Sequence, residues 1–156
     1  MTMEPSRPAL AEGVRVFLRR DHARLDGLLD RFRDEPGGDG SPVVRARWRD
    51  FGAAFLGHMA AEERHLFPKF GRVHPREEAM LRAQHAELRR LLAAAGLSLQ
   101  ARSAALTAFT SALWDHAARE DLMLYEWAER TERRTAEDLI RDISVRARGA
   151  DLTQRR

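Results

Sequence analysis

Phe55-Leu56-Gly57-His58-Met59-Ala60-Ala61-Glu62-Glu63-Arg64-His65 decides how the chain folds. Residues three and four apart share a helix face, so Phe55, His58, Glu62 and His65 belong to one stripe. Upstream, Val44, Trp48 and Phe51 continue that stripe and make it the buried side of an amphipathic helix. Imidazole and carboxylate therefore stand where apolar side chains belong. The same substitution recurs in three other segments: Leu18-x3-His22-x2-Leu25, Leu81-x3-His85-x2-Leu88, and Leu113-x2-His116-x3-Glu120-x2-Met123.

Long stretches rich in Ala, Leu, Arg and Glu are good helix formers, and strand-like alternation is absent. Loop chemistry punctuates them at Asp34–Pro42, Gly71–Pro75 and Gly96–Ser98. Four helices are expected at roughly 8–33, 42–70, 75–95 and 99–130, with a short fifth near 135–147 carrying Leu139, Ile143 and Ala147 on one face. Short connections make neighbours antiparallel. The fold class is all-α, an up-down-up-down four-helix bundle. The division expected is a flexible N-terminus over 1–8, the bundle over 9–132, a helical extension over 133–148 and a flexible tail over 149–156.

Four buried imidazoles and two buried carboxylates are intolerable in a small domain unless something compensates them together. Their depth follows from the turns. Residues at equal height in an antiparallel hairpin lie equally far from its turn. The midpoint of His22 and His58 is position 40, that of His58 and His85 lies between 71 and 72, and that of His85 and His116 lies between 100 and 101. Each midpoint falls in or beside a loop, so one His from each helix enters a single layer. Glu62 and Glu120 lie about 6 Å along the axis from that layer, on the same side. Such a layer suits two cations, with carboxylates bridging and imidazoles terminal. Nitrogen and oxygen donors without sulfur fit iron, manganese or zinc.

The pattern repeats internally. Arg19-x2-His22-Ala23-x-Leu25-x2-Leu28-Leu29 matches Arg82-x2-His85-Ala86-x-Leu88-x2-Leu91-Leu92. His58-x-Ala60-x-Glu62 with Leu66-Phe67 matches His116-x-Ala118-x-Glu120 with Leu124-Tyr125. Two similar hairpins about a pseudo-two-fold axis would enclose a nearly symmetric pair of sites.

Composition narrows the remaining classes. The 156 residues include no Cys, which excludes disulfides, iron–sulfur clusters, thiolate zinc sites and cysteine nucleophiles. The pI near 10.4 reflects a basic complement that is almost all Arg, with Lys69 the single Lys, while net charge is only +3. Arg alternates with Glu as on a solvated helix surface, without the clustering that nucleic acid requires. No apolar run approaches the roughly 20 residues of a membrane span. Residues 1–8 lack the apolar region of a signal peptide, so a cytoplasmic location is expected, with neither nucleic acid nor membrane as partner.

The order His22, His58-x3-Glu62, His85, His116-x3-Glu120 resembles the hemerythrin-like family of HHE cation-binding domains. So do Asp21-His22 and the runs His58–Pro68 and His116–Tyr125. The resemblance covers about residues 15–130. It implies two iron ions, oxo- or hydroxo-bridged, with manganese or zinc as substitutes. The metal ligands would be His22, His58, Glu62, His85, His116 and Glu120. It implies a dioxygen, peroxide or nitric oxide ligand, in a carrier, a sensor or a weak catalase-like enzyme, and family roles extend to iron-cluster repair. Hemerythrins proper resemble this pattern but carry a fifth His beside that of helix three. Here the candidate positions are Leu81 and Arg89, which puts reversible dioxygen carriage in doubt and favours peroxide or nitric oxide. Solvent is the expected filler of the fifth-His position, ahead of His65 or Glu78, which should pair with each other. Glu63 and Asp121 are expected to be exposed, His74 to be an exposed loop residue, and Tyr125 to pack half a turn away from the His116 face. A monomer or weak homodimer is expected, and the alternative to a small-ligand protein is a metal-dependent regulatory module whose 135–147 stretch docks a protein partner.

Overall fold

A computed structural model describes residues 13–36, 41–99, 103–131 and 133–154, and those described residues are helical with short connections and no strand. The helices are α1 (Val14–Arg33), α2 (Pro42–His65), α3 (Phe67–Val73), α4 (Pro75–Leu97), α5 (Ala104–Glu120), α6 (Glu126–Thr131) and α7 (Arg133–Gln154). A π-helical turn, Asp121–Tyr125, joins α5 to α6. None of these helices is long and apolar enough to cross a membrane.

Local chemistry explains the boundaries. Pro42 and Pro75 open α2 and α4, where a missing N–H costs nothing. Ser103 caps α5 by accepting the Leu106 N–H at 3.1 Å. Gly13, at φ +80°, precedes α1, and Glu129 takes the Arg15 N–H at 3.0 Å, tying the start of α1 to α6. The expected helix over 42–70 is interrupted at Leu66 because Pro68 cannot continue the hydrogen-bond ladder, and the chain restarts as α3.

α1 packs on α2, α2 on α4, and α4 on α5, while the π turn and α6 close back against α1. The apolar stripes of α1, α2 and α4 are buried as the heptads predict. In α5 the stripe holds through Leu106, Phe109 and Leu113 and then shifts by one residue. Leu124 and Ala128 are buried, whereas Met123 and Trp127 are only half-buried. The π turn, which accommodates one extra residue, causes that shift.

Buried apolar residues form two clusters. One, around Phe51, Phe55 and Phe109, has ring centroids 5.7 Å apart, and burial of each large side chain contributes about 1.5–3 kcal/mol. The other contains Leu18, Phe67, Phe70, Leu81 and Leu124. The polar residues of the four stripes separate the two. Trp114 is 57% exposed, with the Arg33 guanidinium 5.8 Å from its ring centroid.

The C-terminal helix differs most from expectation. It is longer than the stretch 135–147, runs through Gly149 to Gln154, and buries Leu139, Ile140 and Ile143 against α1 and α2. Its apolar face is therefore covered by the chain's own helices, not left as a docking stripe. The segment 1–8 and residues 155–156 lie outside the described residues.

Candidate metal centre

The four imidazoles come from four different helices, and all present Nε2 to the same space. His22 Nε2 stands 3.1 Å from His58 Nε2. His85 and His116 rings are 4.8 Å apart between centroids. Between the two pairs lie Glu62 and Glu120, both fully buried. Each carboxylate divides its oxygens. Glu62 Oε1 is 3.2 Å from His58 Nε2, and its Oε2 is 3.5 Å from His85 Nε2. Glu120 Oε2 is 3.4 Å from His22 Nε2, and its Oε1 is 2.7 Å from His116 Nε2 and 3.3 Å from His85 Nε2. Donor atoms of His22, His58, Glu62 and Glu120 lie within 4.8 Å of one another, as do those of Glu62, His85, His116 and Glu120. Two adjacent donor sets sharing two carboxylates is the arrangement the spacing predicts.

Outer partners turn the rings. His58 Nδ1 donates to Asp21 Oδ2 at 2.7 Å, and Arg24 Nε donates to Asp21 Oδ1 at 2.7 Å. His116 Nδ1 donates to Gln84 Oε1 at 3.0 Å. Asp21 and Gln84 are equivalent in the internal repeat, each directly preceding the His of its own helix, so the pseudo-two-fold relation extends to the supporting shell. His85 Nδ1 donates to Glu63 Oε1 at 2.8 Å. Arg89 donates to both Glu63 oxygens, at 2.8 and 3.0 Å. Arg89 thus fixes the carboxylate that orients His85. With Nδ1 protons committed outward, Nε2 lone pairs point inward.

That inward set fits cations better than it fits itself. Glu62 Oε2 and His116 Nε2 are buried with no hydrogen-bond partner. His116 Nε2 and Glu120 Oε1, at 2.7 Å, face each other as two acceptors. Without a metal, protons must substitute. Burial pulls the His85 imidazolium down, but the Glu120 hydrogen bond and the nearby Glu62 and Glu120 carboxylates outweigh it, raising His85 to about 10. His58 is likewise raised, its burial outweighed by Glu62 and Asp21. Burial pushes Glu120 up, but the His116 charge and the facing imidazoles of His116, His22 and His85 hold it well below the ordinary range.

The family-level comparison agrees with this geometry. The hemerythrin HHE cation-binding domain model matches residues 14–128, most of the chain. The chain belongs to the hemerythrin HHE family. Neither the curated proteins nor the solved structures supply a match to it. This HHE domain holds both donor sets within the matched span.

Three sequence expectations about neighbours are corrected. His65 Nε2 lies 3.2 Å from Asp142 Oδ2 on α7, while Glu78 pairs with Arg82, so the two do not meet. Glu63 is half-buried in the support of His85, and Asp121 is half-buried because Arg15 and Arg19 hold it. His74 is half-buried, its ring 4.9 Å from that of Phe70. Tyr125 is the residue that sequence reasoning misplaced. Its hydroxyl donates to Glu62 Oε1 at 2.6 Å and lies 2.8 Å from His22 Nε2, 3.2 Å from Glu120 Oε2 and 3.3 Å from His58 Nε2. Nine residues of regular α-helix would face it away from His116. The π turn absorbs one residue, so Tyr125 stands relative to Glu120 as an i+4 neighbour would.

Proposed function

We propose that this HHE domain is a non-haem di-iron protein whose iron pair binds a small ligand, with peroxide or nitric oxide favoured over reversible dioxygen carriage. The four long helical segments act as an up-down-up-down bundle around the pair. His22 and His58 would hold one ion and His85 and His116 the other, with Glu62 and Glu120 shared. The observation that carries the reading is the division of each carboxylate between two imidazole pairs, with Glu62 Oε2 and His116 Nε2 buried and unpartnered.

Bound iron would supply redox chemistry and a Lewis-acidic attachment point for the small ligand. The chain's own residues do the rest. Asp21, Gln84 and Glu63 fix the imidazole orientations. The apolar clusters on either side exclude bulk water. Access runs past His22, whose side chain is 18% exposed while the other five proposed ligands are buried. Four protein donors would face each ion, which leaves positions open for a small ligand.

Anaerobic iron loading followed by oxidation tests this. The expected result is near-ultraviolet charge-transfer absorption that changes when peroxide is added. An iron-loaded chain whose spectrum is indifferent to both peroxide and nitric oxide contradicts the reading. Turnover of peroxide separates an enzyme from a sensor, in which ligand binding without turnover is expected.

A further inference from the structure

Six-coordinate sites with bonds of about 2.1 Å hold neighbouring donors about 3 Å apart. On the His22–His58 side, three edges of the donor set measure 3.1, 3.2 and 3.4 Å. Tyr125 Oη stands 2.6–3.3 Å from all four donors of that set, His22 Nε2, His58 Nε2, Glu62 Oε1 and Glu120 Oε2. A vertex of an octahedron has four neighbours and one opposite. Tyr125 Oη therefore stands where a fifth vertex caps a square of four.

The internal repeat supplies a comparison within the molecule. Tyr125 corresponds to Phe67, which follows Glu62 as Tyr125 follows Glu120. Phe67 is fully buried with its ring 4.9 Å from that of His85. Both aromatic rings thus abut the centre, one on each side, and a single hydroxyl distinguishes them. The chain also departs from α-geometry at Asp121–Tyr125, and π turns recur at functional sites.

We infer that Tyr125 is a fifth protein ligand, as phenolate, to the cation held by His22 and His58; this rests on the two-cation reading above. Phenolate oxygen is an established iron ligand. On binding, the O–H bond breaks and an O–metal bond forms. With the carboxylate oxygens taken up by the cations, the proton leaves to solvent past His22, one per chain. The ligand shortage then falls on the His85–His116 ion, where Phe67 offers no donor.

Tyr125 is the only tyrosine in the chain, so any tyrosinate signal is assigned without ambiguity. The full chain is loaded with iron, oxidised, and examined by visible absorption and resonance Raman, with bound iron counted separately. Zinc loading provides a colourless control read by the ultraviolet tyrosinate difference spectrum. The expected result is a visible phenolate-to-ferric band with tyrosine ring modes, and a tyrosinate difference with zinc. Tyr125→Phe should keep both irons and lose the visible band. Two irons bound without a phenolate band in the native chain, or a band that survives in Tyr125→Phe, overturns the inference and spares the two-cation reading. A chain that binds neither metal overturns both.

Discussion

Asp21→Asn removes one negative charge and little else. Asp21 is buried, accepts from His58 Nδ1 at 2.7 Å and is held by Arg24 at 2.7 Å. Burial pushes its carboxyl up, but the His58 hydrogen bond and charge, then Arg24, outweigh that and bring it down to about 2 from 3.8. A depressed folded-state value stabilises the fold above the unfolded value, and that stabilisation is lost as pH falls through the folded one. The shift corresponds to about 2 kcal/mol in the metal-free protein at neutral pH. Asn can still accept the His58 proton, so the ring keeps its orientation, but it no longer raises imidazole basicity. Partners of this kind change metal affinity by roughly 10–100-fold, about 1.4–2.7 kcal/mol. Urea unfolding of the metal-free chain, with calorimetric zinc titration, measures both. The stability deficit should be full above about pH 4 and shrink toward pH 2. Native zinc affinity with native stability in Asp21→Asn would show that the Asp21–His58 contact supports nothing.

Metal affinity should rise by about tenfold per pH unit between about pH 6 and 8 for each proton displaced, because His85 is protonated up to about 10 in the metal-free chain and must lose that proton to bind; pH-independent zinc titrations would contradict this. Arg89→Leu breaks a half-exposed ion pair worth about 0–1 kcal/mol, so urea stability should barely move. The released Glu63 should nevertheless weaken one of the two bound ions about tenfold, visible as a split titration. Leu139→Ala should cost about 2–5 kcal/mol in urea unfolding, since Leu139 is fully buried where α7 meets the bundle. A cost below about 1 kcal/mol would mean that α7 does not pack there.

The heptad stripes of α1, α2 and α4 were readable because their polar interruptions kept helical phase. Turn midpoints placed His22, His58, His85 and His116 together because the loops are short and the hairpins nearly symmetric. Tyr125 was not readable. Its position depends on one residue absorbed in a π turn, and extrapolating α-geometry from His116 turns it the wrong way. The signal that could have found it was the repeat itself, which pairs Leu124-Tyr125 with Leu66-Phe67 just after each Glu. The role of Arg89 was not readable either, since an Arg on a helix surface looks solvated until Glu63 and His85 are seen beside it. The α7 contact involves Leu139, Ile140 and Ile143, and its amphipathic pattern was visible, but no spacing rule says which surface such a face covers.

Counting the iron retained by the anaerobically loaded chain, native and with His58→Ala plus His116→Ala, tests the two-cation centre most directly. Together the two substitutions take one imidazole from each donor set. Two iron equivalents per native chain and none held by the double variant is the predicted result. Iron uptake that the double change leaves unaffected, or a native chain that retains none, contradicts it.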